Sequence, residues 1–180
     1  MILDILVTLL AVATIGSYLW SVKFHFESGA LEAGAKLISI MVITGAIVFT
    51  ALTWALAQPP TIQFLGCLLQ GLSLVLFWVT IRETRNAQLL AAFTDKNPGS
   101  LVTSGPYRFV RHPFYSSYLL FWFGWAVATA NIWSLVLFAI MCVIYWRAAE
   151  QEEDKFKNTS MAEEYASFKA GRKRFIPFIL

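Results

Sequence analysis

The apolar stretch from Pro113 to Trp146 contains no charged residue and reads PFYSSYLLFWFGWAVATANIWSLVLFAIMCVIYW. As one helix its 34 residues would measure about 51 Å, whereas the hydrocarbon core of a bilayer is about 30 Å thick. The polar break Thr129-Ala130-Asn131 divides the stretch near its middle. We therefore predict a helical hairpin of two short membrane spans, with the second continuing as helix past Arg147.

Three further apolar segments precede this hairpin, at Ile5–Val22, Leu37–Ala57 and Thr61–Ile81. Each approaches the roughly 20 residues that a helix needs to cross a bilayer. Only 14% of the chain is charged, against about 25% in soluble domains. The sequence therefore predicts an all-α integral membrane protein with about five transmembrane helices, the last two forming the hairpin.

The basic residues indicate the topology. All 14 lysines and arginines lie outside the apolar segments, and a hairpin places the basic segments 82–112 and 147–180 on the same side. The positive-inside rule makes that side cytoplasmic. We expect the N-terminus outside, the C-terminal tail cytoplasmic, and the inner membrane of a bacterium as the location. We expect no nucleic-acid partner, because the basic residues alternate with acids and border the spans.

Two features of the chain predict no special covalent or processing chemistry. Cys67 and Cys142 both lie inside apolar segments, without disulfide or metal-ligand spacing, so we predict no metal site. The first apolar segment has no Lys or Arg ahead of it and no A-x-A site after it. We expect it to be a span, since a cleaved signal peptide carries both features.

Two helices are expected outside the spans. Arg82–Phe93 reads as a cytoplasmic helical extension that ends at the turn cluster DKNPGS. In the tail, Ser160 and Glu163 form a capping-box pattern. It predicts a helix over Met161–Ala170, with Gly171 as the residue after its end.

The segment GPYRFVRHPFYSS, at 105–117, places polar groups directly before the hairpin. Pro113 suits the first turn of a helix, so His112 lies at or just before a helix N-terminus, where an anion such as a carboxylate is favoured. Tyr107 and Tyr115 add aromatic faces that carry hydroxyls. For Arg108 we favour simple anchoring to lipid headgroups.

Soon after the last apolar segment, residues 150–154 read EQEED, an acidic run in basic surroundings. We interpret Glu150 and Asp154 as a solvated helix face paired with nearby lysines. If the hairpin folds back, Glu152 and Glu153 reach the helix start at His112, where their carboxylates would suit a cationic amine. The tail segment GRKRFIP either contacts lipid headgroups or closes a pocket, and the sequence favours neither.

The ordered elements GPYRFVRHPFY, apolar hairpin, EE and terminal Y…RFIP resemble the isoprenylcysteine carboxyl methyltransferase family, whose wider group includes phospholipid N-methyltransferases. The resemblance covers roughly residues 102–177. It implies an S-adenosylmethionine-dependent membrane methyltransferase whose cofactor site is formed by the RHPxY and EE elements. Carried over by position, the cofactor-binding residues are Tyr107, His112, Pro113, Tyr115, Glu152, Glu153 and Tyr165.

The chain also departs from the family pattern. Ser117 stands where a glycine is usual, Phe168 replaces a second tail tyrosine, and Gly171 aligns with an arginine implicated in catalysis. Arg172 or Arg174 would take over that role, so these two arginines and Glu153 are the catalytic candidates. Residues 1–81 are then three N-terminal spans, and residues 82–180 form the cofactor-binding catalytic region.

The reaction favoured by the resemblance is carboxyl methylation of a lipophilic, isoprenylcysteine-like acceptor. A carboxylate acceptor needs no base, whereas an amine acceptor would need Glu153 or His112 to remove a proton. Phospholipid or other lipid N-methylation is one alternative. An NADPH-dependent membrane reductase and a non-catalytic protein such as a small transporter subunit are the others. Membrane lipids are the expected surroundings, and the sequence predicts no oligomeric state.

Overall fold

The computed structural model describes residues 1–26, 33–85 and 100–179, with side chains from residue 36 onward in the second range. These residues form six α-helices and one short 3-10 helix and contain no β-strand. The helices are α1 (Ile2–Phe24), α2 (Ala33–Ala55), α3 (Pro60–Glu83), α4 (Pro113–Thr129), α5 (Ile132–Phe156) and α6 (Ala162–Ala170), with the 3-10 helix at Gly105–Arg108. The all-α prediction is confirmed.

Within these described ranges, four helices are long and apolar enough to cross a membrane: α1, α2 from Lys36, α3 and α5. The protein is thus a multi-pass membrane protein by length and composition. Helix α4 has 17 residues, a length of about 26 Å, and is slightly shorter than the hydrocarbon core. A fifth span therefore stays a prediction, as does the side of the membrane on which the tail lies.

The predicted hairpin forms at the predicted break. Helix α4 ends at Thr129, and Ala130 turns the chain in the left-handed conformation with φ 45°. The side chain of Asn131 accepts a hydrogen bond from the backbone N–H of Trp133 at 2.9 Å, which caps the start of α5. Helix α5 continues past Arg147 to Phe156, so it carries the acidic run out of the apolar layer as helix.

Helix α4 is the central helix of the fold because small residues let it approach α3 closely. A Cβ atom built on Gly66 would lie 2.5 Å from Cβ of Ala128 and 2.6 Å from the carbonyl oxygen of Gly124. The crossing therefore requires glycine at position 66. Trp122 and Trp125 of α4 pack against α2, and each is 1% exposed.

A hydrogen-bonded chain connects three helices inside the bundle. Tyr18 of α1 hydrogen-bonds through its hydroxyl to Ser73 Oγ of α3 at 2.9 Å, and Ser73 Oγ donates to the carbonyl of Ser117 in α4 at 2.7 Å. Each polar group finds a partner where water is excluded. This chain fixes α1 against the first half of α4, close to the candidate site.

The structure corrects one detail of the tail. Helix α6 begins at Ala162 with Met161 as its N-cap and no side-chain cap, so the predicted capping box at Ser160 and Glu163 is wrong. Thr159 Oγ1 instead accepts the backbone N–H of Met161 at 3.2 Å. Gly171 follows α6 as predicted, but in the right-handed conformation.

The predicted cytoplasmic extension is described only in part. Helix α3 ends at Glu83, and its cap, Thr84, donates its backbone N–H to the Thr80 carbonyl at 3.0 Å. The rest of Arg82–Phe93, from residue 86 onward, lies outside the described residues. Most of the turn cluster DKNPGS lies there too.

Candidate functional site

The start of α4 is held by the tail of the chain. His112 is the N-cap of α4, and its φ of −127° and ψ of 67° lie outside the helical region that a following proline disfavours. The backbone N–H of Arg111 donates to the Lys173 carbonyl at 2.8 Å, and that of His112 donates to the Arg174 carbonyl at 3.1 Å. These bonds fix both residues of the RH pair from the backbone side.

Glu153 lies beneath this backbone pair and is only 2% exposed. Its Oε1 atom lies 3.0 Å from Nε of Arg111, 3.0 Å from Nε of Arg174 and 3.1 Å from Nε2 of His112. Its Oε2 atom lies 2.7 Å from Nζ of Lys169. Three permanent cations and one imidazole surround this carboxylate, which keeps it ionised.

Glu152 points to the other side of the same helix end. It accepts a hydrogen bond from the Tyr115 hydroxyl, and its Oε2 atom lies 3.5 Å from Nδ1 of His112. Its side chain is 29% exposed, so it retains free oxygen surface. The two adjacent glutamates thus differ: Glu153 is enclosed by protein cations, whereas Glu152 faces open space.

His112 bridges the two carboxylates, and this changes its protonation. Burial lowers the pKa of His112, but hydrogen bonds to Glu152 and Glu153 and their negative charges raise it more. The net pKa lies above the ordinary value of 6.5, because both ring nitrogens face a carboxylate. His112 is therefore a cationic link more than a base.

Glu152 and His112 lie on the wall of a cavity of about 460 Å³. The polar end of this cavity is lined by Tyr107, Arg111, His112, Tyr115, Glu152 and Tyr165. Three of these come from the segment before α4 and the others from α4, α5 and α6. The cavity therefore lies where the RHPxY and EE elements and the tail helix converge.

The cavity continues from its polar end between α1 and α2. Aliphatic side chains line that part, among them Ile15, Leu19, Val42 and Ala46. The hydroxyl-bearing rings of Tyr18, Tyr118 and Tyr145 lie between the two ends. One continuous chamber thus joins a charged end to an apolar end.

Aromatic rings surround the polar end. The rings of Tyr115 and Tyr145 stack with centroids 5.6 Å apart, and Phe156 stacks on Tyr165 at 4.2 Å with an interplanar angle of 6°. Burial raises the pKa of Tyr165, and the charge of Glu153 raises it further, so its hydroxyl stays protonated at neutral pH. These faces suit a flat ring or a cation.

The predicted cofactor residues all lie in this region, at different distances from the cavity. Tyr107, His112, Tyr115, Glu152 and Tyr165 line it. Pro113 is the buried first residue of α4, and Glu153 lies behind the wall. The structure brings the imidazole and both carboxylates together, and their roles in binding stay predictions.

The three catalytic candidates are not among the residues that line the cavity, as far as the described residues show. Arg174 pairs with Glu153 and places its guanidinium 4.2 Å from the ring centre of Trp146. Arg172 lies 4.6 Å over the ring of Phe168. In this arrangement both arginines and Glu153 support the site from behind.

Sequence reasoning missed Arg111 and Lys169 as partners of Glu153. Arg111 also donates through Nη1 to the backbone carbonyl of Arg172 at 2.5 Å, so it ties the tail to the RH pair. No signal in the sequence pointed to these two partners, because the burial of Glu153, which requires several cations around it, is visible only in the structure. Arg108 is exposed, which is compatible with the lipid contact that we favoured.

Comparison with known proteins identifies the family of the chain. The family model for phospholipid methyltransferase matches residues 61–166, which include all of α3 but its first residue, the hairpin and all six residues named at the polar end. No curated protein sequence matches the chain. Since the match covers more than half of the chain, the protein belongs to the phospholipid methyltransferase family and is a membrane methyltransferase.

Proposed function

We propose that the protein transfers a methyl group from S-adenosylmethionine to a lipophilic acceptor with a polar head. One observation carries the proposal: a single cavity has Glu152 and His112 at one end and the aliphatic walls of α1 and α2 at the other. The methyl donor is polar and the acceptor is apolar. A chamber with two such ends suits the meeting of the two molecules.

The residues at the polar end fit the chemical groups of the cofactor. Glu152 would hold its ammonium group, since a carboxylate with exposed oxygen surface faces the cavity. The rings of Tyr107 and Tyr115 would lie against the sulfonium, because π faces attract cations. The stacked pair Phe156 and Tyr165 would receive the adenine.

When bound, S-adenosylmethionine supplies a methyl group activated by its positively charged sulfur. The protein's part is alignment and exclusion of water, which can account for much of the rate of such a displacement. The buried network around Glu153 fixes His112 and the start of α4. The tyrosine rings at the middle of the cavity keep its centre largely apolar.

The apolar end of the cavity supports a lipid acceptor. Ile15 and Leu19 of α1 face Val42 and Ala46 of α2 across it, and both helices expose apolar side chains to the surrounding bilayer. An acyl or prenyl chain between them would stay in an apolar environment along its whole length. Its head group would then lie near Glu152.

Two acceptor chemistries deserve separate tests. The sequence resemblance put an isoprenylcysteine-like carboxylate first, with Arg172 or Arg174 as its partner. One observation favours a phospholipid amine: the family description names phospholipids. An amine acceptor has to lose a proton before it attacks the methyl group.

Methyl transfer is favoured over the competing hypotheses. Family membership supports a methyltransferase over an NADPH-dependent reductase and over a non-catalytic transporter subunit. We further propose that the polar end of the cavity faces the cytoplasm, in the inner membrane of a bacterium. The basic residues around positions 108–111 and 169–174 are the reason for this orientation.

A transfer assay tests the proposal. Purified protein in nanodiscs is incubated with radiolabelled S-adenosylmethionine and, separately, phosphatidylethanolamine, an S-prenylcysteine analogue, and a soluble amine of the same head group. We expect label in one of the two lipophilic acceptors, and in the phospholipid if the amine chemistry is right. Transfer to the soluble amine alone would contradict the lipid-acceptor proposal.

A further inference from the structure

The last described residues of the tail form an exposed apolar turn. Ile176 is 47% exposed, Phe178 is 90% exposed and Ile179 is 74% exposed. The backbone N–H of Ile179 donates to the carbonyl of Ile176 at 3.2 Å, which closes the turn. A cluster of large apolar side chains this open to solvent indicates a partner surface.

The position of this turn relative to the membrane follows from the contacts of Phe175, the residue before it. Phe175 is 4% exposed, and its ring lies 6.0 Å from that of Trp146 and 6.1 Å from that of His112. Trp146 is the last residue of the uncharged stretch, and tryptophan at such a position is typical of the membrane interface. Positions 176–179 begin next to Phe175 and extend at most about 14 Å from it.

Basic residues directly precede the turn in the chain. Lys173 is exposed and lies three positions before Ile176, with Arg172 and Arg174 on either side of it. Apolar side chains flanked by lysine and arginine at interface depth are the pattern of segments that lie in the plane of a bilayer surface. This composition identifies the partner as lipid.

We propose that the turn Ile176–Ile179 is a membrane anchor at the boundary of head groups and acyl chains, and that its docking holds the RH pair in position. The connection is short, because the carbonyls of Lys173 and Arg174 bind the backbone of Arg111 and His112. The side chain of Arg174 also reaches Glu153. Lipid contact at the turn thus stabilises the polar end of the cavity.

The lipid contact can be measured without any activity. Spin labels are attached at Phe178→Cys, Val143→Cys and Glu164→Cys in a Cys67→Ala/Cys142→Ala background, in nanodiscs. Val143 is 61% exposed on the apolar part of α5, and Glu164 is exposed on α6. We expect the label at position 178 to be more accessible to oxygen, which dissolves in lipid, than to a water-soluble nickel chelate, as we expect for the label at position 143. Accessibility to the two reagents like that of the label at position 164 would overturn the anchor.

The coupling to the site rests on the proposed cofactor binding and has its own measurement. The variant Phe178→Ser/Ile179→Ser is compared with the control Ala166→Ser, an exposed position of α6. In nanodiscs we expect the double variant to bind S-adenosylmethionine at least roughly fivefold more weakly, as linked sites do. Equal affinity would overturn the coupling, whereas no binding by the unmodified protein would count against the proposed function and leave the spin labels to decide the anchor.

Discussion

The Nε2 atom of His112 lies 3.1 Å from Oε1 of Glu153, although the two residues are 41 positions apart in the chain. The first residue caps α4 and the second lies in the last turn of α5, so the contact exists only because the hairpin brings these two ends together. The tail adds Lys169 and Arg174 to the same carboxylate. The polar end of the cavity is built on this junction.

Loss of the buried carboxylate is expected to weaken the fold. Glu153→Ala leaves three cations and His112 without their shared partner, and breaking a buried ion pair from one side costs about 3–5 kcal/mol. An SDS titration of the detergent-purified protein measures the change in the free energy of unfolding. The control is Asp154→Ala, whose carboxylate pairs with Lys157 at 65% exposure and should change stability little; equal effects of the two variants would contradict the network.

The stabilising effect of His112 is expected to depend on pH. Its pKa is raised in the folded protein above the ordinary 6.5. Such a group contributes its full stability below its unfolded pKa and loses it as the pH rises through the folded pKa. The advantage of the unmodified protein over His112→Gln in thermal unfolding should therefore be largest below about pH 6.5 and shrink above it; an advantage that grows with pH would show that the imidazole is not a cationic link.

The α3–α4 crossing is expected to tolerate no side chain at position 66. A methyl group on Gly66 would overlap Ala128 and the Gly124 carbonyl, so Gly66→Ala should lower stability by about 1–3 kcal/mol through overpacking. Gly71 of the same helix has open space around its would-be Cβ. Gly71→Ala should be neutral or stabilise by up to about 1 kcal/mol through helix propensity, and loss of stability in both variants would point to another cause.

The apolar end of the cavity is expected to affect binding of the methyl acceptor and not binding of the cofactor. Ala46→Trp would fill the space between α1 and α2, so the KM for a lipid acceptor should rise by about tenfold or more, as for other misplaced substrates. Binding of S-adenosylmethionine, measured by equilibrium dialysis, should change little. The matched control is Ala51→Trp, an exposed position of the same helix; a similar rise in KM there would indicate a general disturbance of α2.

Much of the fold follows from the sequence by simple lengths. A 34-residue uncharged stretch is too long for one span, and the break at Ala130 is where the polar residues lie. Once the stretch is a hairpin, the acidic run has to return to the side of His112. The meeting of these groups was therefore predictable from length and charge.

The sequence did not predict which of the two glutamates faces the cavity and which is enclosed by protein cations. Helical periodicity places Glu152 and Glu153 about 100° apart around α5, but which of them faces the cavity depends on the rotation of α5 against α4. The paths of Arg172 and Arg174 depend in turn on the bridge between Val110 and Lys173. Contacts between distant segments of this kind leave no periodic pattern in the sequence.

The most direct test of the central claim is the affinity for S-adenosylmethionine of three proteins in nanodiscs: unmodified, Glu152→Gln and Glu150→Gln. The Glu150→Gln substitution removes the same charge from the same helix, but Glu150 is not among the residues that line the cavity. We expect saturable binding by the unmodified protein and by Glu150→Gln, and binding about 10- to 100-fold weaker by Glu152→Gln, since hydrogen bonds to charged groups contribute about 1.5–3 kcal/mol. Equal affinity of all three proteins, or no binding by any of them, would contradict the account.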